Sequence, residues 1–328
     1  MSPDDAPLIT DEAGTDPLLR CVHSPSREVR LVRRNRCQIY PKKGTPLTSH
    51  IAHPAPGLID RATRVASLGS CFASNIRTWL LDHGYRYVQA EHGTAAEHTS
   101  LRVGLVYNPG TLAQIAERAI DAFHPAERLW RYDRSIMDPY RVFVGWPDEQ
   151  AMAIELDRHA KACRLMLERA EVLIVTLGMS EVWRSIADGA IFAMAPPKGV
   201  LDEQAHRFEM LSVEESLAHL ERFYAIARDI NPRLQLITTL SPVPLRATYR
   251  NDAAVISDAA SKARLRVAID EFLTRHTEVK YFPSFEIIRQ VMTDPYEADN
   301  IHVKYEVIQT MMDTFMRAFG DLESASAA

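Results

Sequence analysis

The sequence has few cysteines, and they are too scattered to build a metal site or a disulfide framework. The four in 328 residues are Cys21, Cys37, Cys71 and Cys163. Structural zinc sites place paired cysteines a few residues apart, and small disulfide-bonded domains carry them much more densely. The cysteines are therefore expected to be free thiols, and no metal or other cofactor is predicted.

The sequence also lacks a long apolar run, a secretory signal and an excess of positive charge. It has no stretch of about 18 apolar residues, the length that a membrane-spanning helix needs. The residues from Met1 to Asp5 show neither the basic start nor the apolar segment of a signal peptide. Because 38 lysines and arginines face 43 aspartates and glutamates, nucleic acid is disfavoured as a partner. We expect a cytoplasmic protein.

What the sequence does have is the composition of an ordinary globular protein and enough chain for a large core. Hydrophobic residues make up 46% of it and charged residues 25%, as in typical globular domains. Residues 1–60 are predicted to form a partly irregular N-terminal extension, 61–320 one α/β domain and 321–328 a disordered tail.

Segments typical of strands and helices alternate along the predicted domain. Short apolar runs at 65–69, 171–178, 234–240 and 279–282 are typical of strands, and amphipathic segments at 149–169, 212–228, 252–276 and 303–319 predict helices. The alternation predicts a doubly wound, mostly parallel sheet with helices on both faces. A further helix is predicted from an N-cap at Thr111 to Ala122, and a strand around Arg141 to Val144.

The stretch from Val65 to Asn75 is a short apolar strand that turns at Gly69 into a helix, with Ser70 at the turn. A serine there lies at the rim of a sheet, where the free N–H groups of the helix start favour an anion. Gly69 supplies the backbone angles of a tight bend. Ser70 is therefore a candidate nucleophile; the alternative is that it only caps the helix.

Asp299 and His302 lie in a predicted loop just before the last helix. An imidazole, with a reference pKa of about 6.5, suits the role of general base toward a serine, and a carboxylate beside it orients the ring. The alternative is an aspartate that caps the helix and a histidine that packs on it. Ser70, the segment from Gly178 to Glu181 and this pair each follow a predicted strand, so they are expected to meet at one edge of the sheet.

Five ordered blocks carry a family resemblance: Gly69-Ser70-Cys71-Phe72-Ala73, residues 105–109, 176–183 and 281–287, and the pair Asp299 and His302. Together they resemble the GSCFA family, which is related to the SGNH (GDSL-like) hydrolases. The resemblance implies an SGNH-like, flavodoxin-like three-layer sandwich and a serine esterase. It further implies that Ser70 is the nucleophile, His302 the base and Asp299 the group that orients His302.

The resemblance also implies an oxyanion hole, but with one departure. SGNH relatives build this hole from a glycine and an asparagine besides the N–H of the nucleophile. Here the corresponding block reads Gly178-Met179-Ser180, with Ser180 where the asparagine is expected. Asn108 or Ser180 is predicted to replace the missing amide. For Asn108 the alternative is an ordinary Asn-Pro turn.

Two further residues are assigned to the site on the same grounds. Glu181 is predicted to shape the pocket and to pair with an arginine such as Arg184 or Arg246. Cys71 is weighed as a rival nucleophile, because a thiol at a helix start has a lowered pKa, but Ser70 is preferred and Cys71 is expected to be a small buried residue.

The function expected from this resemblance is hydrolysis of an O-acyl ester, such as an acetyl ester, of a glycan or small molecule. One alternative is acyl transfer to a sugar hydroxyl by the same residues. Another is a ligand-binding module that keeps the fold and has lost the oxyanion donor. The sequence predicts neither the substrate nor the oligomeric state.

Overall fold

The computed structural model describes residues 40, 42–93, 98–142 and 144–321. Contacts divide the chain into two units, one ending at Ala52 and the other beginning at His53. The described part of the first unit contains a 3-10 helix, Leu47–His50. Cys21, Cys37 and residues 322–328 of the predicted tail lie outside the described residues, and the predicted extension over residues 1–60 stays a prediction.

The second unit alternates strands and helices as predicted. In chain order it contains β1 (Val65–Gly69), α1 (Cys71–Asp82), α2 (Pro109–Ala119), β2 (Trp130–Tyr132), β3 (Ser135–Met137), β4 (Gly145–Trp146), α3 (Glu149–Arg169), β5 (Val172–Leu177), β6 (Glu181–Ser185), β7 (His206–Met210), α4 (Val213–Ile230), β8 (Gln235–Leu240), α5 (Ala254–Arg275), β9 (Lys280–Tyr281), α6 (Ser284–Glu286), a π-helical turn (Ile287–Val291) and α7 (Tyr305–Phe319).

The central sheet of the described chain is parallel. Its strands lie in the order β1-β5-β8-β9, and every pair between them is parallel. Gly69 pairs with Thr176 and Thr176 with Thr239, so the carboxyl ends of β1, β5 and β8 lie side by side. Every residue of β1 and β5 is buried, and since successive side chains point to opposite faces, both faces of the sheet are covered. The predicted α/β fold is confirmed.

The helices form two groups around this sheet. Helix α1 contacts α7, whereas α2, α3, α4 and α5 contact one another in series. One apolar cluster joins strands to the second group and includes Leu68 of β1, Leu173 of β5, Phe223 of α4 and Ile269 of α5. Burial of these large side chains is the main force that holds the helices on the sheet.

A segment before β1 packs against the end of the last helix. The N–H of Ala55 donates to Ala318 O at 2.8 Å, the N–H of Ile59 to Phe319 O at 2.8 Å, and the N–H of Asp321 returns to Ile59 O at 3.1 Å. Residues 55–59 are therefore part of the second unit.

Two local predictions are wrong. The N-cap of α2 is Asn108, whose Oδ1 accepts the N–H of Thr111 at 2.9 Å; the helix starts earlier than predicted because Pro109 suits its first position, where no N–H donor is needed. Arg141 lies in a turn and not in a strand, because its N–H donates to Asp138 O at 3.2 Å. Its fully buried guanidinium donates to Glu91 Oε1 at 3.0 Å and to Arg102 O at 2.8 Å. The neighbouring strands are instead the antiparallel set β2-β3-β4.

Gly69 cannot be replaced without strain. Its φ is +148°, and a methyl group there would overlap the carbonyl oxygen of Thr176. We expect Gly69→Ala to lower the free energy of unfolding by more than about 2 kcal/mol, as measured by urea denaturation. Gly178→Ala is the control, because its methyl would lie at ordinary contact distances, 3.5 Å from Ser70 Cβ and 3.4 Å from Tyr107 Cδ1. Equal losses in the two variants would contradict this account.

Candidate active site

Ser70 stands at the junction of β1 and α1. It is 2% exposed, and as N-cap of α1 its Oγ accepts the N–H of Phe72 at 3.3 Å. Its own N–H donates to Thr176 O at 3.0 Å and so extends the pairing of β1 with β5. This N–H already has an acceptor, which corrects the prediction that it is a free oxyanion donor. Strand, turn and cap are all as predicted, and none of them shows by itself that the hydroxyl reacts.

Three chain segments meet beside Ser70. The N–H of Val106 donates to Gly69 O at 2.8 Å, and the N–H groups of Gly178 and Met179 both donate to Tyr107 O, at 2.7 and 3.0 Å. The turn after β1, the segment before α2 and the loop after β5 are thus bonded to one another. The first and third of these follow neighbouring strands, where ligands of open α/β sheets bind.

Asn108 presents an unused amide at this edge. The residue is 4% exposed, and its Oδ1 accepts the Thr111 N–H, so the hydrogen-bond network assigns the amide orientation. Within the part of the chain that the structure describes, its Nδ2 group donates no hydrogen bond to protein. Asn108 therefore has a fixed side chain with two free donors, as an oxyanion stabiliser requires.

Ser180 and Glu181 are directed elsewhere. The Ser180 hydroxyl donates to Ser261 Oγ at 3.2 Å, and the Ser180 N–H donates to the same oxygen at 2.6 Å. Glu181 accepts the hydroxyl of Thr248 at 2.7 Å. The predicted Glu181–Arg184 pair is wrong, since Arg184 pairs with two other glutamates, at 209 and 215. Of the two predicted replacements for the missing amide, the geometry favours Asn108.

Cys71 is a free thiol, and the lowered pKa on which the rival hypothesis of a cysteine nucleophile depends is not found. Burial raises the pKa of Cys71, and the positive charge of Lys262 offsets only part of this effect. The helix start was expected to lower the pKa, but removal of the thiolate from water has the larger influence. The structure therefore gives Cys71 no activated thiolate.

Asp299 and His302 form the predicted pair. The His302 Nδ1–H donates to Asp299 Oδ2 at 2.6 Å, while Asp299 Oδ1 accepts the N–H groups of Ile301 and His302 at 2.9 and 3.0 Å. These bonds, with the His302 N–H first, lower the pKa of Asp299 to about 2. Asp299 is thus ionised near neutral pH and fixes the ring so that Nε2 is the nitrogen left for proton transfer.

The pair and the nucleophile candidate are not bonded to each other. Among the described residues no hydrogen bond joins Ser70 and His302, and the His302 side chain is 59% exposed whereas Ser70 is buried. Both follow strands of the same sheet. The structure thus brings together Ser70, Gly178 and Asn108 on one side and Asp299 and His302 on the other.

A cavity of about 470 Å³ lies beside Asp299. Apolar side chains such as Val255 and Met292 line it, together with Asp258 and Arg289, which neutralise each other in an ion pair of 2.6 Å. The nucleophile candidate is not among its lining residues. The cavity can hold an uncharged group next to the Asp299 carboxylate.

Sequence reasoning missed two residues of this region, Ser261 and Lys262 on α5. Lys262 is 1% exposed, and its Nζ donates to Gly178 O at 2.6 Å. A signal was present, because Lys262 shares a helical face with Leu265 and Ile269, at spacings of i+3 and i+7, and both are fully buried. A lysine in the middle of an apolar helix face indicates a buried partner.

The described residues offer no metal site. They contain no cluster of three or more His, Cys, Asp or Glu residues placed to hold a metal ion.

Within the described ranges, no helix is both long enough and apolar enough to cross a membrane.

The GSCFA family model matches residues 64–315, which include every candidate site residue. The chain belongs to the GSCFA family. This confirms the family predicted from the five motif blocks. No curated protein matches the chain.

Two solved structures resemble this GSCFA chain distantly. A GDSL-like lipase from Parabacteroides merdae is 14% identical over 81% of this chain and 99% of its own, with a TM-score of 0.38. An acetyl xylan esterase (Est2A) from the rumen bacterium Butyrivibrio proteoclasticus is 12% identical over 68% of this chain and 56% of its own, with a TM-score of 0.28. Neither likeness locates a site residue, so the candidate site rests on the geometry of this chain.

Proposed function

We propose that the protein is a serine hydrolase of O-acyl esters. Ser70 Oγ forms a bond to the acyl carbon while its proton passes to His302 Nε2, and the alcohol then leaves with that proton as the ester C–O bond breaks. His302 next takes a proton from water, the resulting hydroxide attacks the acyl-serine, and the acid is released as Ser70 recovers its proton.

The observation that carries this proposal is the unused Asn108 amide on the segment that is bonded to the Ser70 turn. Preorganised donors aimed at developing negative charge are the largest contribution in many acyl-transfer sites. The hydrogen bond between Asp299 and His302 supports the role of His302 as a base with a fixed tautomer. Catalytic hydrogen bonds are often long before substrate binds, and the proposal includes movement of the exposed His302 ring toward Ser70.

Acetyl esters of glycans or small molecules are the substrates we propose first, following the resemblance of the motif blocks. The uncharged part of such a substrate is proposed to occupy the cavity beside Asp299, because Asp258 and Arg289 in its lining are paired with each other and Asp299 is hydrogen-bonded to His302. Transfer of the acyl group to a sugar hydroxyl would use the same residues in the same roles.

Labelling with a fluorophosphonate tests the proposal directly. We expect the wild-type protein to form one covalent adduct, which peptide mass spectrometry assigns to the Ser70 hydroxyl rather than to the neighbouring thiol. Cys71→Ala is the matched control and should label at the wild-type rate, because burial disfavours its thiolate. A folded wild-type protein that neither labels nor hydrolyses p-nitrophenyl acetate would contradict the proposal.

A further inference from the structure

Lys262 is a buried lysine whose three N–H donors all bind backbone carbonyl groups. Its Nζ lies 2.6 Å from Gly178 O, 2.8 Å from Ser241 O and 2.8 Å from Val243 O. These carbonyls belong to the segments that follow β5 and β8. An ammonium group has three donors, so this lysine is fully satisfied by the carboxyl edge of the sheet and joins two strand ends.

The preceding residue binds the other end of the same loop. Ser261 Oγ accepts the Ser180 N–H, while Lys262 binds the Gly178 carbonyl. Between them, the N–H groups of Gly178 and Met179 donate to Tyr107 O. We call these two residues of α5 the Ser261–Lys262 clamp. The clamp holds the Gly178–Ser180 loop in the orientation in which its N–H groups bind Tyr107, the residue just before Asn108.

The clamp is an electrostatically costly way to fix a loop. In the described part of the chain Lys262 makes no ion pair, and the nearest acid on its own helix, Asp258, is paired with Arg289 from the π-helical turn at 2.6 Å. Burial is the main cause that lowers the pKa of Lys262 to about 7. The charge of Arg289 lowers this pKa further, while Asp258 and Cys71 from α1 offset only part of the effect. A methionine would fill such a core position without this cost.

We propose that Lys262 is a positioning residue of the active site, whose ammonium holds the Gly178–Ser180 loop and, through it, the segment that carries Asn108 and is bonded to the Ser70 turn. This inference rests on the proposed ester hydrolysis. Its structural half, that Lys262 orders the loop, does not depend on that chemistry. The two halves can therefore fail separately.

The first experiment compares Lys262→Met with Phe272→Leu. Phe272 is a fully buried residue of the same helix, and its ring packs against Tyr224 and His276. Phe272→Leu therefore destabilises the helix packing alone. We expect Lys262→Met to lower kcat about 10- to 100-fold with KM changed less than about 3-fold. Phe272→Leu should leave both constants near wild type at temperatures where it is folded.

Amide hydrogen exchange measures how well the Gly178–Ser180 loop is ordered, and it does not depend on the enzyme reaction. We expect the amides of Gly178 and Met179 to exchange at least about 10-fold faster in Lys262→Met than in Phe272→Leu, each compared with wild type. Ser261→Ala removes the other half of the clamp and is used if Lys262→Met does not fold. It should shift kcat and exchange in the same direction.

The pH profile separates positioning from mere stabilisation. Neutral lysine has two N–H donors for three carbonyls, so kcat should fall as the pH rises from about 6 to 8, around the lowered pKa. The contribution of Lys262 to the free energy of unfolding changes with pH in the opposite direction to kcat. The folded pKa lies below the ordinary value of 10.5, so the unfolded chain binds more protons between about pH 7 and 10.5, and this group favours folding as the pH rises. Lys262→Arg, which stays charged, should lose the alkaline fall in kcat.

Each outcome decides one half of the inference. Faster loop exchange with an unchanged kcat would overturn the positioning role, and unchanged exchange would overturn the clamp itself. An alkaline fall in kcat that persists in Lys262→Arg would also count against it. A wild-type protein without esterase activity would instead refute the proposed function, and the exchange experiment would still test the clamp.

Discussion

Ser70→Ala and His302→Ala should each lower kcat toward p-nitrophenyl acetate by at least about 10³-fold. Without Ser70 no acyl-enzyme bond forms, and without His302 nothing takes the proton from the hydroxyl. Because the two act as one unit, the double variant should be no slower than the worse single variant. Steady-state kinetics on all three, with circular dichroism to show that each is folded, makes the measurement.

Imidazole in solution provides the matched control. His302 is 59% exposed, so its removal leaves an open space that a small imidazole can enter. We expect added imidazole to restore part of the activity of His302→Ala and none of that of Ser70→Ala. Activity near wild type in His302→Ala would show that another group is the base.

Asn108→Ala should lower kcat about 10²- to 10³-fold, which is the usual loss when one oxyanion donor is removed. KM should change little, because the amide acts on charge that develops in the transition state. The same substitution removes the N-cap of α2, at a cost of about 1 kcal/mol in the free energy of unfolding. Enzyme kinetics and urea denaturation measure the two effects separately.

Asn108→Asp distinguishes the role of the Asn108 side chain as an oxyanion donor from its role as the N-cap of α2. An aspartate oxygen can still accept the Thr111 N–H and is an equally good N-cap, but it has no N–H to offer an oxyanion. We therefore expect Asn108→Asp to be nearly as stable as wild type and at least as inactive as Asn108→Ala. If Asn108→Asp keeps wild-type activity, Asn108 is not the oxyanion donor.

Much of the fold and the outline of the site follow from local pattern. The apolar runs at 65–69 and 171–178 predicted β1 and β5 to within one residue, because strands covered on both faces consist mainly of apolar residues. The helix 149–169 was predicted with its observed bounds. Asp299 and His302 lie close in sequence, so their hydrogen bond depends on a short loop that a motif can specify.

The choice between the two candidate oxyanion donors depends instead on contacts with residues that are distant in sequence. Ser180 and Asn108 looked equally suitable in sequence, but Ser261, 81 residues further on, takes up the Ser180 hydroxyl. Lys262 similarly binds a carbonyl 84 residues away. The rival hypothesis for Cys71 fails for the same reason, because burial, which depends on the whole fold, outweighs the effect of the helix start on its pKa. Spacing along the chain carries no information about such partners.

The bonds between residues 55–59 and the end of α7 bear on how the chain can be shortened. They place both ends of the α/β unit next to each other, although about 260 residues lie between them. His302 precedes α7 by only a few residues. A protein that begins at residue 61 would leave the far end of that helix without its backbone partners, so deletion of a segment remote in sequence would loosen the helix that follows the proposed base.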